Sequence, residues 1–168
     1  MTAGRILRVR PKALDAPTGH SGIRRFSRYR TQMKTKPTLT LEDARRMAAA
    51  AEAEATRNQW AVTIAIVDDG AHLLWLQRLD GAAAISAAIA PAKAQTAALG
   101  RRESKVYEDV INQGRVSFLS APGLQGMLEG GVPIVVDGHC VGAVGVSGVK
   151  SSEDAQIARA GIAALIAG

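Results

Sequence analysis

The chain has a single cysteine in 168 residues, which excludes an internal disulfide framework and leaves the fold to burial and hydrogen bonding. No apolar run approaches the ~18 residues that a membrane-spanning helix needs, so no membrane partner is expected. Catalytic signatures are equally scarce. There is no G-x-S-x-G nucleophile elbow and no H-E-x-x-H pair, and the three histidines, His20, His72 and His139, are isolated from one another. A Ser-His-Asp hydrolase or a metallohydrolase therefore has no footing in the residues, and no catalytic residue is assigned. The expectation is a cytoplasmic chain built around one hydrophobic core.

A net positive charge is missing from the body. The formal charge of +6 and the pI of about 10.0 come from residues 1–32, which hold seven arginines, Lys12 and one acid, Asp15. That arm alone sums to +7, and the remainder of the chain is −1. The arm mixes Pro, Gly, Ser and Arg without apolar periodicity and is expected to be disordered. Its Arg24-Arg25-Phe26 is followed by YRTQMKTKPTLT rather than an apolar run, so it does not read as an export signal. An organellar leader and a nucleic-acid arm are alternatives; the plainest reading takes Met33 as the natural start. The division is residues 1–37 as a basic extension and residues 38–168 as a single domain, with no nucleic-acid partner expected for the body.

What the body does have is alternating helix and hairpin signals. TLEDARRMAAAAEAEATRNQ, which begins at Thr40, reads as an N-capped helix with Leu41, Ala44, Met47, Ala48 and Ala51 on its apolar face. Residues 60–68 and 71–79 read as strands around a two-residue Asp69-Gly70 turn. Residues 82–99 are alanine-rich and predict a helix closed by Gly100, interrupted or started at Pro91. A short helix is expected over 103–112, then a loop with one helical turn at 124–128. The glycine-rich GGVPIVVDGHCVGAVGVSG, residues 130–148, predicts a second hairpin about Asp137-Gly138, and Ser151 to Asp154 open a last helix with a capping-box pattern. Paired strands separated by helices predict an α+β domain, an antiparallel sheet with helices packed on it. The similarity of AIVDDGAHL to PIVVDGHCV is read as shared hairpin chemistry.

The glycine-rich segment does not match a dinucleotide fingerprint or a P-loop, whose glycine spacings differ. The amides of GVSGVKSSED at a helix start could still favour an anion. Strict alternation about Asp137-Gly138 would send Ile134, Val136, His139, Val141 and Ala143 to one face, and Pro133, Val135, Cys140, Gly142, Val144 and Val146 to the other. His139 and Cys140 would then diverge, so the pair is not a two-ligand metal motif and no metal site is assigned. Cys140 reads as a small core residue and His139 as a solvated hairpin residue. Asp68, Asp69, Asp80, Asp137 and Glu129 read as solvated turn carboxylates. Lys93 is different: it stands in an apolar helical stretch with Thr96 on the same face, and must reach water or a partner.

These residues together resemble a known family. SAAIA at 86–90 and KAQTA at 93–97, then GGVPIVVDGHCVGAVGVSG and a final helix ending AGIAALIAG, resemble the GlcG/HbpS-like, haem-degrading domain family over residues 38–168. The family also includes domains attached to PduO-type corrinoid adenosyltransferases. The resemblance implies a profilin-like (GlcG-like) α+β fold and a symmetric homo-oligomer. The matching positions are Ser86, Lys93, Thr96, Gly130, Gly131, Pro133, Gly138, Gly142, Gly145, Ser147 and Gly148. Of these, Ser86, Lys93, Thr96, Gly130, Gly131 and Pro133 are the candidate ligand-binding residues. No single axial iron ligand carries over; His139, His72, Cys140, Met127 and Tyr107 are chemically able, with His139 first. Aromatics are few for a porphyrin pocket: Trp60, Trp75, Tyr107 and Phe118 in the body.

The leading expectation is a haem- or tetrapyrrole-binding protein acting in haem handling or degradation, with haem the cofactor ahead of a corrinoid. One alternative is an enzyme or sensor that holds a small anionic metabolite on the Lys93 helix face and the Gly-rich amides. The other is an oligomerisation module without chemistry.

Overall fold

The structure is a computed structural model and describes residues 34–166; the basic arm, with His20 in it, lies outside the described residues. Thr40 and Asp43 form a reciprocal capping box, Thr40 Oγ1 accepting from the Asp43 amide at 3.2 Å and Asp43 Oδ2 from the Thr40 amide at 2.9 Å. They start α1, Leu41–Arg57, whose Ala44, Met47, Ala48, Ala51 and Ala55 are buried. Leu41, expected on that face, is about half exposed at 51 %, because the first turn overhangs the core.

Strands β1, Thr63–Asp68, and β2, Leu73–Arg78, follow as an antiparallel pair. The hairpin closes around three residues, 69–71, instead of the expected two. The Asp68 amide bonds the His72 carbonyl at 2.9 Å, and Ala71 takes the left-handed conformation at φ 67°. Asp68 Oδ1 accepts the Gly70 and His72 amides, each at 2.8 Å, so the turn chemistry comes from Asp68 and not from the Asp-Gly pair.

Helix α2, Ser86–Gly100, starts four residues later than expected and runs continuously through Pro91. Its left-handed cap is Arg101, φ 53°, rather than Gly100; a side chain at Gly100 would meet the Tyr107 hydroxyl. Helix α3, Lys105–Asn112, is followed by a 3₁₀ turn at Val116–Ser120. The helical turn expected at 124–128 is absent. Tyr107 and Phe118 meet in a tilted contact, 5.7 Å between centroids, and Arg115 lies 4.8 Å over the Phe118 ring, contacts that favour the turn at 116–120 instead.

Strands β3, Gly131–Val136, and β4, His139–Ser147, are joined by a two-residue turn in which Asp137 and Gly138 both have positive φ. That is the geometry the Asp-Gly pair predicts. Helix α4, Ser151–Ile166, closes the chain. Its cap is one residue earlier than the Ser151 pattern suggested, since the Lys150 amide donates to Glu153 Oε2 at 3.1 Å.

The four strands form one antiparallel sheet in the order β2-β1-β4-β3. On one face α1 and α4 pack against Ile64, Ile66, Val132, Ile134, Val144 and Val146. On the other, α2 presents Ala94, Ala97 and Ala98 to Val67 and Ala143. A bulge changes the expected alternation: Val135 pairs with Cys140 but Ile134 with Gly142, so the register shifts by one residue. Ala143 therefore faces α2, while Val144 and Val146 join Ile134 in the larger core, reversing the faces assigned from strict alternation.

Helix α2 lies so close to the sheet that two strand positions must lack a side chain. A Cβ on Gly145 would sit 2.2 Å from the Ala90 carbonyl oxygen, and one on Gly131 would sit 2.2 Å from that of Lys93. Gly138, by contrast, has positive φ and open space around it. Gly145→Ala is expected to cost about 3 kcal/mol through forced separation of helix and sheet. Gly138→Ala should cost about 1 kcal/mol through backbone strain alone. Urea denaturation of the two variants checks the difference.

Candidate functional site

The conspicuous polar cluster in the interior is built by α2. Lys93 leaves the helix beside Gly130 and crosses to the opposite layer, where its ammonium donates to Asp154 Oδ2 at 2.8 Å and to the Val146 carbonyl at 3.1 Å. Asp154, in the first turn of α4, also accepts the Val149 amide at 3.2 Å. Both side chains are buried, Lys93 at 3 % exposure and Asp154 at 2 %. Burial pushes the Asp154 carboxyl above its ordinary value, opposed by the hydrogen bond and charge of Lys93. Gly130 makes room for the pair: a Cβ there would lie 2.8 Å from Lys93 Nζ and 3.0 Å from Asp154 Cβ.

Other candidate residues lie along α2 and at the start of β3. Thr96 Oγ1 accepts the Gly126 amide at 3.2 Å, holding the loop against α2. Ser86 Oγ and Thr63 Oγ1 are 2.6 Å apart, and Ser86 donates to the Ala83 carbonyl. Gly131 exchanges hydrogen bonds with Ser104, its amide reaching Ser104 Oγ and its carbonyl the Ser104 amide, both at 2.9 Å. Pro133 is half-buried in the edge strand β3. The structure thus brings Ser86, Lys93, Thr96, Gly130 and Gly131 together as interior joints between α2 and its neighbours. Sequence reasoning missed two members, Asp154 and Ser104. Asp154 was visible as an acid in the first turn of the last helix, where an exposed capping role is the usual explanation; nothing singled out Ser104.

His139 is elsewhere. It is exposed at the start of β4, at the far end of the hairpin from Gly131, roughly 17 Å along the strand at ~3.4 Å per residue. There a groove of about 370 Å³ is lined by Lys36, Asp69, Ala98, Arg101, Val135, Gly138, His139 and Cys140. Lys36 is ion-paired with Asp69 and holds that carboxyl below its ordinary value. Cys140 is half-buried, its Sγ 3.8 Å from the Ala98 carbonyl, so imidazole and thiol line one groove despite lying on successive residues. Val135 also borders an adjoining groove of about 470 Å³ whose walls include Leu39, Val136, Val141 and Leu165 together with Asp43 and Asp137. One side of the hairpin tip therefore carries Arg101 and a Lys36–Asp69 ion pair, and the other is mainly apolar with Asp43 and Asp137 among its walls. Among the described residues no group of three or more His, Cys, Asp or Glu side chains could hold a metal ion.

The fold is an α+β domain, an antiparallel sheet with α1 and α4 on one face and α2 packed almost on its backbone at the other. The chain belongs to the family described as haem degrading protein HbpS-like, whose model matches residues 39–163. It is 56 % identical over 115 residues to protein GlcG of Escherichia coli K12, covering 68 % of this chain and 85 % of that one. In solved structures it is similar to Klebsiella pneumoniae protein ORFY, with a TM-score of 0.76, 29 % identity and coverage of 82 % and 97 %. It is similar also to the protein of a PduOC:heme complex, with a TM-score of 0.71, 28 % identity and coverage of 76 % and 95 %.

Lys93→Met would leave the Asp154 carboxylate buried without its counter-charge, at an expected cost of about 3–5 kcal/mol at neutral pH. With the cation gone, the folded-state carboxyl lies still further above the unfolded value near 3.8, so the folded variant binds a proton more tightly than the unfolded chain. The deficit is then largest above the folded-state value and shrinks as pH falls through it. The double change Lys93→Met/Asp154→Leu should recover most of the loss. Urea denaturation from neutral to mildly acidic pH measures both effects, and a pH-independent deficit would contradict the assignment.

Proposed function

We propose that the protein binds haem, or a closely related tetrapyrrole, at the tip of the β3–β4 hairpin, with His139 as the iron ligand. The observation that carries the reading is the composition of that tip in a chain of this family: an imidazole, two cations and an apolar wall converge on Val135. Haem supplies an iron that takes a neutral nitrogen donor, an apolar ring and two propionates. His139 suits the iron, Val135 and the apolar groove suit the ring, and Lys36 and Arg101 suit the propionates. A propionate would share Lys36 with Asp69, its present partner. Within this reading the protein is cytoplasmic, acts in haem handling or degradation as a homo-oligomer, and takes haem ahead of a corrinoid.

The buried residues enter indirectly. Lys93 already has an acceptor for its charge in Asp154, so a ligand carboxylate would have to displace a buried partner. The interior cluster supports the sheet that presents the hairpin, and the groove at the tip meets the ligand.

Adding haemin to the apo-protein is expected to give a saturable Soret band at micromolar concentration. His139→Ala should shift or abolish the band. Arg101→Ala should keep its position but weaken binding roughly tenfold, as for a lost charge-assisted hydrogen bond. No specific haemin binding would overturn the reading, and an unchanged band in His139→Ala would move the iron to another ligand.

A further inference from the structure

The groove at the hairpin tip already holds a carboxylate of its own. Asp69, in the β1–β2 turn, lines it together with Lys36, Arg101 and His139, and its carboxylate is ion-paired with the Lys36 ammonium. The hydrogen bond and charge of Lys36 hold the Asp69 carboxyl below its ordinary value against the opposing effect of burial, and the charge of Arg101 adds to them. One acid therefore answers both cations that line the groove.

The two members of the ion pair are anchored unequally. The turn that carries Asp69 is fixed, since Asp68 Oδ1 accepts the Gly70 and His72 amides and Gln95 of α2 donates to the Ala71 carbonyl at 3.4 Å. Lys36 stands in the segment before α1, which has no such support. Among the described residues no backbone hydrogen bond engages residues 34–39, Pro37 has no amide hydrogen to give, and the segment is seated on the core through Leu39. The pair is also open to water, its side chains 47 % and 36 % exposed. An exposed pair of this kind shifts an equilibrium by no more than about fivefold, so an incoming anion can compete for Lys36 without breaking the turn or the core. The buried pair of Lys93 and Asp154 has no such freedom.

We propose that Asp69 is an internal competitor, standing where a ligand carboxylate would stand, and that it sets which ligands the groove accepts. A small monoanion gains little there. It exchanges one carboxylate contact on Lys36 for another and leaves Asp69 beside it as a like charge. A ligand with a second carboxylate for Arg101 and an apolar body for the adjoining groove offsets that exchange. The inference rests on the hairpin tip being the ligand site, and within that reading it selects a dicarboxylate with a large apolar body over a small anionic metabolite.

Titrations of the full chain and of Asp69→Ser test this, with haemin and haemin dimethyl ester read by the Soret band, and inorganic phosphate read by the amide shifts of Arg101 and His139. Asp69→Ser should bind haemin about fivefold more tightly, and phosphate more tightly by a similar factor. The ester, which has no carboxylates, should bind both proteins equally. Asp69→Glu, which keeps the charge, should stay close to wild type, and adding Lys36→Ala to Asp69→Ser should cancel the gain. Equal or weaker haemin binding by Asp69→Ser overturns the inference. An equal gain for the ester also overturns it, because the substitution would then have loosened the turn instead of freeing the cations. If the wild type gives no specific haemin band, the hairpin-tip reading fails, and the phosphate titration alone decides the role of Asp69: no gain in Asp69→Ser overturns that role.

Discussion

The contact on which the rest of the structure depends is the buried pair between Lys93 and Asp154. It joins a helix on one face of the sheet to a helix on the other, around the start of β3. A charge pair removed from water is tolerable only when each member keeps hydrogen-bond partners. Here the Val146 carbonyl and the Val149 amide supply them. The route of the lysine then dictates its surroundings: no side chain at 130, a close approach at 131, and a carboxylate early in α4.

A second constraint follows from the first. To bring Lys93 within reach of Asp154, α2 must sit almost on the backbone of β3 and β4, and alanine with glycine is the composition that permits this. The helix ends in a left-handed Arg101, which places a cation beside the hairpin tip. The interior network and the groove are thus linked through α2: one end holds the layers together, and the other borders the surface where chemistry is accessible. Much of the family resemblance lies in the interior end, which explains why it indicates the fold more sharply than the ligand.

Several elements were legible locally because their causes are local. The Thr40 cap with its acid three residues on, the Asp137-Gly138 turn, and the alanine-rich helix depend on neighbours in the chain, and each stands where the pattern put it to within a few residues. The α+β layering followed from their order. The misses have tertiary causes. The bulge at Val141 reversed the faces of β4 after it, and the 3₁₀ turn follows Phe118 and its neighbours Tyr107 and Arg115. Lys93 was singled out as a cation needing a partner, but which one it meets depends on a residue sixty-one positions away.

The sequence by itself therefore determined the inventory: a neutral glycine-rich body, two hairpins, four helices, one lysine in an apolar stretch, and membership of a family. Only the tertiary structure decided what the inventory does. It matched Lys93 to Asp154, separated His139 from that pair by the length of a strand, and set imidazole and thiol into one groove with Arg101. The physical reason is that hydrogen bonds within a turn or a helix cap are set over three or four residues. Burial and charge pairing are settled only when segments far apart in the chain are brought into contact.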